Sequence, residues 1–203
     1  MIQVFHINLV PANTLLMLGC MFKDASRVNL KLLDPKLLEG IELNEKIAEF
    51  IQQHPAYERS KKRLNYRFVK HADKILFIFY DHFLTANWEK YNTQSLRDFA
   101  EETYAYMINN TAILPYSIKK NLKCLLAANW IVNMSTIRGL HEYMQLITMK
   151  DTFQSILEYS LEDLTNQYND FKADFEELMP DLAYFVKNTI KEQEEVLIMA
   201  NYQ

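Results

Sequence analysis

The stretch that most constrains how this chain can fold is the fifteen residues from Lys74 to Trp88, KILFIFYDHFLTANW. As a helix, this stretch would carry apolar side chains on every face, except where Asp81 and His82 interrupt it. It contains no Gly or Pro, it is too short to span a bilayer, and it is long enough for a core helix. Other helices must therefore cover it on several sides. We predict that it is the innermost helix of an all-α fold, and that this helix begins near Leu64.

Asp81 and His82 interrupt this apolar run. Burying an ionisable side chain is costly unless it is paired, hydrogen-bonded or bound to a metal. In one interpretation the two residues only satisfy neighbouring backbone or Tyr hydroxyl groups, as buried polar residues commonly do. In the other they belong to a catalytic or metal site. Because the helix around them has no solvated face, we predict that Asp81 and His82 are mostly buried with their polar atoms satisfied.

The scarcity of turn residues supports a helical fold. Among 203 residues there are only three glycines and five prolines, which argues against a sandwich or barrel with many turns. Apolar residues make up 49% and charged residues 24%, an ordinary composition for a soluble globular protein. We predict one domain of about seven to nine helices that spans residues 1–203.

Capping signals give the bounds of several helices. Asp34 followed by Pro35 is a favoured start, and the helix that it opens should stop near His54, before a second proline. Thr93 or Ser95 is expected to cap a later helix, because an apolar pattern with helical spacing follows.

The most regular pattern lies near the end of the sequence, where apolar residues alternate by four and three. This spacing predicts a long helix with coiled-coil-like packing, and Pro180 is expected to end it. A homodimer through this apolar stripe is an alternative to packing within the chain. The stripe consists of Leu157, Leu161, Leu164, Tyr168, Phe171, Phe175 and Leu178.

The net charge of −4 is unevenly distributed. Seven basic and two acidic residues lie between Glu58 and Lys74, whereas three lysines and twelve acids lie between Asp151 and the end. The two regions could face each other within the fold or across a dimer, or the basic stretch could receive an acidic partner. We expect neither a nucleic acid nor a membrane as partner.

The two cysteines, Cys20 and Cys124, lie far apart and give neither a zinc signature nor a disulfide framework, which favours the reducing cytoplasm. The segment from Leu16 to Cys20 loosely resembles a bacterial lipoprotein cleavage site, but no basic residue precedes it. Lipidation at Cys20 is therefore the less favoured alternative.

The sequence lacks the Gly-rich phosphate loop, the HExxH zinc motif, the GxSxG nucleophile motif and paired CxxC motifs. Any metal site must therefore combine His and Asp residues from separate helices, and Asp81 or His82 would be one contribution.

Several segments resemble the acyl carrier protein phosphodiesterase family in order and spacing, over nearly the whole chain. The most specific is the Asp-His-Phe-Leu run at 81–84, with a Trp six residues after the His. The segments are LLEGIELNEKI at 37–47, QHPAY at 53–57, KRL at 62–64, FYDHFLTANW at 79–88, AANWIVNMSTIRGLHEYMQLI at 127–147 and YNDFKADFEELMPDL at 168–182.

This resemblance implies an all-helical enzyme of lipid metabolism and fatty acid biosynthesis, distantly similar to metal-dependent HD phosphohydrolases. Such an enzyme hydrolyses the phosphodiester that joins 4′-phosphopantetheine to a serine of acyl carrier protein, usually with manganese. It implies Asp81 and His82 as catalytic residues. The metal ligands that it implies are His6, Asp24, His54 and Asp81. Because carrier proteins are small and acidic, a docking face is expected at Arg59, Lys62, Arg63 and Arg67.

The sequence also departs from the family pattern. Where the family has a His and three acids, this chain has Asn44, Ala48, Gln52 and Phe77. Positions 44, 48 and 52 share one helical face, so a row of ligands is replaced. Manganese depends on anionic oxygen, so we expect its binding here to be weak or absent. The chain is either a phosphodiesterase with an altered site or a catalytically silent relative that keeps the fold, and we favour the second.

Overall fold

A computed structural model of the protein describes residues 3–12, 14–22, 33–64, 66–148 and 154–200, and all regular secondary structure within these ranges is helical. Eight α-helices have nine residues or more, so the predicted all-α class and helix number are confirmed. The helices are α1 Val4–Ile7, α2 Leu15–Gly19, α3 Pro35–Gln53, α4 Pro55–Arg63, α5 Ala72–Ala86, α6 Trp88–Tyr91, α7 Leu96–Asn109, α8 Tyr116–Ala127, α9 Trp130–Asn133, α10 Ile137–Thr148, α11 Gln154–Asn166 and α12 Tyr168–Ala200.

Helix α5 is the centre of the fold, as predicted. Every residue from Ile75 to Thr85 is buried, and helices α1, α4, α10, α11 and α12 all pack against it. It begins at Ala72, however, and not near Leu64, because Tyr66–His71 form a separate 3₁₀ helix. Within the described ranges, none of the helices combines the length and the apolarity needed to cross a membrane.

The predicted caps at two helix starts are confirmed. Oδ1 of Asp34 accepts a hydrogen bond from the backbone N–H of Lys36 at 2.8 Å, and α3 ends at Gln53 as expected. Oγ of Ser95 accepts from the backbone N–H of Asp98 at 3.1 Å and begins α7. Each side chain satisfies an N–H that the helix leaves without a partner in its first turn.

The predicted helix break near the C-terminus is wrong. The break lies at Gln167, whose side-chain amide donates to the carbonyl of Arg63 at 3.2 Å, and α12 continues through Pro180. A proline removes one main-chain hydrogen bond, and the packing of α12 on α3 and α4 offsets that loss. Most residues of the apolar stripe are buried in the chain's own core, so the stripe does not offer a dimer surface.

Two glycines allow α2 and α3 to cross very closely. A Cβ atom at Gly40 would lie 2.2 Å from the carbonyl oxygen of Leu16, and one at Gly19 would lie 2.4 Å from the carbonyl oxygen of Leu37. Cys20 is buried in this crossing, where burial raises its pKa to about 12 and its thiol donates to the carbonyl of Gly40 at 3.4 Å. The thiol is therefore inaccessible in this fold.

Candidate functional site

The short helix α1 places His6 against α3. Nδ1 of His6 lies 2.6 Å from Oδ1 of Asn44, and Nδ2 of Asn44 donates to the carbonyl of Phe22 at 3.0 Å. An amide oxygen only accepts hydrogen bonds, so Nδ1 of His6 carries the proton in this arrangement. The position at which the resemblance expects a His is thus occupied by an amide that bridges His6 and the chain after α2.

Asp81 approaches the same region from α5. Its Oδ1 accepts a hydrogen bond from the backbone N–H of Phe5 at 2.9 Å, and its Oδ2 has no partner among the described residues. Burial raises the pKa of this carboxyl well above its usual value, and the backbone N–H groups of Phe5 and its neighbour Val4 only partly oppose that effect. The predicted burial of Asp81 is confirmed, but the prediction that all its polar atoms are satisfied is wrong for Oδ2.

Phe77 completes this region. Its ring centroid lies 5.7 Å from the imidazole of His6 and 5.7 Å from the ring of Phe5, and its side chain is buried. We refer to His6, Asn44, Phe77 and Asp81 together as the Asp81 cluster. Positions 44 and 77, at which the resemblance expects a His and an acid, therefore both contact the implied ligand His6.

The rest of the predicted row on α3 leads away from the Asp81 cluster. Asn44 is buried, whereas Ala48 is half-buried and Gln52 is exposed. The row begins at the cluster and ends at the protein surface.

The structure does not bring His54 to the Asp81 cluster. Its Nδ1 accepts from the backbone N–H of Ala56 at 3.2 Å, which caps the start of α4. The other ring nitrogen, Nε2, then carries the proton and lies 3.3 Å from Oδ2 of Asp181 on α12. Asp24, the remaining implied ligand, lies outside the described residues.

His82 is buried on a different side of α5 from Asp81. Its Nδ1 donates to the carbonyl of Met134 at 2.7 Å, and its Nε2 lies 2.9 Å from the hydroxyl of Tyr168 on α12. Burial lowers its pKa, which favours the neutral ring. The prediction that His82 is buried with both nitrogens satisfied is confirmed, and the ring is bonded separately from Asp81.

Two residues of the basic stretch pair with the acidic helix α12. Nε of Arg59 donates to Oδ1 of Asp174 and Nε of Arg63 donates to Oδ2, both at 2.9 Å. Arg59 also pairs with Glu177 through Nη2. The two oppositely charged regions of the sequence therefore face each other within the fold, as one of the two interpretations predicts.

Asp174 is nearly inaccessible and is held by α4 and α5 together. The hydroxyl of Ser60 donates to its Oδ2 at 3.1 Å, and the hydroxyl of Tyr80 donates to Ser60 at 3.1 Å. We refer to Arg59, Ser60, Arg63, Tyr80 and Asp174 as the Asp174 network. Sequence reasoning missed it, although the four-residue spacing of Arg59 and Arg63 indicated that both arginines share one face of α4.

A sequence model of the family described as acyl carrier protein phosphodiesterase matches residues 3–182. The chain belongs to the acyl carrier protein phosphodiesterase family. A relative with that name from Photorhabdus laumondii is 22% identical over 177 residues, which cover 86% of this chain and 89% of the relative. No solved structure matches the chain. The family resemblance inferred from the sequence motifs is thereby confirmed.

Acyl carrier protein phosphodiesterases are metal-dependent in general, so the Asp81 cluster must be compared with the needs of a divalent ion. Among the described residues it offers one imidazole, one carboxylate and one amide, and no group of three His, Cys, Asp or Glu side chains comes together there. The ring of Phe77 fills the space beside the imidazole. This donor set does not fit manganese, which depends on several anionic oxygens.

Proposed function

We propose that the protein recognises acyl carrier protein but hydrolyses its phosphopantetheine phosphodiester weakly or not at all. The observation that carries this proposal is the packing of the Asp81 cluster, in which Asn44 and Phe77 stand where the family resemblance expects a His and an acid. The cluster has become a hydrogen-bonded and aromatic part of the core. Membership of the family supports acyl carrier protein as the partner.

Neither candidate catalytic residue presents a reactive group to solvent. Asp81 is fully buried and holds the N–H of Phe5, and both nitrogens of His82 are engaged by Met134 and Tyr168. Hydrolysis of a phosphodiester requires an activated water and a group that stabilises the developing charge. The described residues of this region offer a substrate neither of these.

The same resemblance supports a cellular location, a fold type and a metabolic role for the protein. We place the protein in the cytoplasm, with an HD-like helical arrangement and a role in lipid metabolism. A phosphodiesterase with residual activity is the alternative function, because one carboxylate and one imidazole of the implied ligand set are present, and Asp81 accepts from the N–H of Phe5, the residue next to His6.

We also propose that the carrier protein docks at the basic stretch, mainly through Lys62 and not through Arg59 or Arg63. Arg59 and Arg63 are engaged by acids of α12, whereas Lys62 is exposed and forms no ion pair within the described part of the chain. The side chain of Arg67 lies outside the described side chains. Of Arg59, Lys62 and Arg63, Lys62 is therefore the one whose charge is open to a partner.

Mass spectrometry of holo acyl carrier protein incubated with the purified protein and manganese tests the loss of activity. We expect no loss of the phosphopantetheine mass, while the Photorhabdus relative serves as the positive control. Manganese-dependent release by the unmodified protein, abolished by Asp81→Ala, would overturn the proposal and favour residual activity.

A matched pair of variants tests whether the Asp81 cluster is the altered site. Asn44→His with Phe77→Asp adds ligands inside the cluster, and Ala48→Asp with Gln52→Asp adds them outside it. We expect a larger gain in manganese affinity from the first pair, measured by calorimetry. Its stability should also become manganese-dependent, because a buried carboxylate is costly without a cation. A gain confined to the second pair would show that the site lies elsewhere.

A further inference from the structure

A long acid-free segment occupies one part of this acidic protein. No Asp or Glu occurs between Glu102 and Glu142, although the segment carries Lys119, Lys120 and Lys123. It forms the second half of α7, all of α8 and α9, and the start of α10, and these helices pack against one another. The neighbours of α8 therefore bring few carboxylates to neutralise its lysines.

One face of α8 is turned outward. Its inward residues Ile118, Leu122 and Leu125 are buried, as expected for an amphipathic helix packed on a core. The outward positions follow helical spacing and share the opposite face. They are Tyr116, Lys120, Lys123, Cys124 and Ala127, all of which are exposed.

The outward lysines keep their charge available. Lys120 and Lys123 form no ion pair with any described residue. The ammonium group of Lys119 donates a hydrogen bond to the backbone carbonyl of Ala112 at 2.5 Å. The first acid after the segment, Glu142, is engaged by Arg138 at 3.0 Å. This differs from α4, whose arginines are already paired with α12.

Exposed apolar side chains occur at the start of α8 and in the segment just before it, to which Lys119 is hydrogen-bonded. Tyr116 is 80% exposed, Ile108 at the end of α7 is 53% exposed and Ile113 in the following turn is 38% exposed. Three large apolar residues are thus exposed within nine consecutive positions. A cluster of exposed apolar groups rimmed by one sign of charge is typical of an interaction surface.

We propose that this surface, formed by Ile108, Ile113, Tyr116, Lys120 and Lys123, docks an acidic protein. This α8 surface rests on the function proposed above for the identity of its partner, which is then acyl carrier protein. The lysines attract carboxylates of the partner, and Tyr116 supplies an aromatic anchor at low entropic cost.

A protein partner fits this surface better than a lipid bilayer does. A helix that lies on a membrane turns a broad apolar face towards the lipid, whereas the apolar residues Ile118, Leu122 and Leu125 of α8 face the core. Its outward face carries one aromatic residue and two unpaired lysines, which match a small acidic surface.

Binding of fluorescently labelled holo acyl carrier protein, measured by anisotropy at low and physiological salt, tests the α8 surface. We expect Lys120→Glu with Lys123→Glu to weaken binding at least about tenfold, and Tyr116→Ser to weaken it about threefold or more. The matched control is Lys46→Glu with Lys187→Glu, which makes the same change of net charge at two exposed positions of α3 and α12. It should bind within about twofold of the unmodified protein.

The outcomes separate the two proposals. If the unmodified protein does not bind carrier protein, the proposed function fails in its partner. If it binds and the α8 variants bind as tightly as the control, the proposed function stands and the α8 surface is wrong. The neutral variant Lys120→Gln with Lys123→Gln should fall between the unmodified and reversed forms. Binding to phosphatidylglycerol vesicles in place of carrier protein, lost in the charge-reversed variant, would assign the surface to a membrane and overturn the inference.

Discussion

Asp81 and Asp174 are two aspartates buried to nearly the same degree, with exposed fractions of 0% and 2%, but their surroundings differ completely. Both oxygens of Asp174 accept hydrogen bonds, from Arg59, Arg63 and Ser60. Asp81 accepts one backbone N–H, and its second oxygen has no partner among the described residues. Helix α4 supplies cations to the first acid, and nothing described supplies a cation to the second.

The contrast shows that burial of an acid does not by itself indicate function. The Asp174 network fastens α4 to α12 and, through Tyr80, to α5, and its charges compensate one another. The Asp81 cluster lies at positions that the family resemblance gives to metal ligands, yet aromatic rings surround it. Among the described residues no cation approaches Asp81, and an amide and an aromatic ring occupy the positions at which the resemblance expects ligands.

The strongest test of this contrast removes the compensated acid. Asp174→Ala removes the buried carboxylate that Arg59 and Arg63 share and leaves the two arginines only the exposed acids Glu177 and Asp170, so we expect the free energy of unfolding to fall by about 2–4 kcal/mol. Urea denaturation measures the change. Asp170→Ala is the control, because Asp170 is largely exposed and lies 3.7 Å from Arg63, and it should cost no more than about 0.5 kcal/mol. Equal losses in both variants would mean that the network does not fasten α12.

A smaller effect separates fastening residues from docking residues on α4. Arg63→Glu places a second negative charge against Asp174, and we expect it to lower the free energy of unfolding by about 2 kcal/mol. Lys62→Glu makes an equal change of charge on an exposed side chain, and we expect a loss below about 0.5 kcal/mol. Denaturation curves of both variants measure their stability, and binding to carrier protein measures whether Lys62 or Arg63 contacts the partner. Weakened binding by Lys62→Glu at unchanged stability would support docking at α4 as well as α8.

The parts of the fold that local sequence determines were predictable. Asp34 and Pro35 begin α3, and Ser95 begins α7, because a cap acts within its own turn. The break at Gln167 was not, because it depends on a hydrogen bond to Arg63, more than a hundred positions away. Pro180 misled the prediction since tertiary packing of α12 outweighs the local preference of a proline.

The candidate site divides in the same way. The family resemblance indicated His6 and Asp81; the structure places His6 beside positions 44 and 77, and Asp81 accepts from the N–H of the neighbouring residue Phe5. The resemblance also indicated His54, but its ring is bound by its own helix start and by Asp181 from a distant helix. A sequence pattern contains no information about such long-range partners, so it could not separate a ligand from a cap.

The smallest effect expected concerns the uncompensated acid itself. Asp81→Asn keeps an oxygen for the N–H of Phe5 and removes a buried carboxylate that no cation of the described residues approaches, so we expect the protein to gain about 1 kcal/mol of stability at neutral pH. Asp170→Asn, at an exposed position of α12, controls for the loss of one negative charge. Urea denaturation of the three proteins between weakly acidic and neutral pH gives the comparison.

The pH dependence gives the sharper test of Asp81. Burial raises its pKa in the folded protein, so the folded state holds this proton more tightly than the unfolded state does. Its contribution to stability is therefore full below the ordinary carboxyl pKa of about 3.9 and is lost as the pH rises towards the folded value. Asp81→Asn cannot ionise, so its advantage over the unmodified protein should grow with pH. A variant that is instead less stable at neutral pH would mean that the Asp81 carboxylate is compensated there by a cation, which would restore the case for a metal site and for hydrolysis.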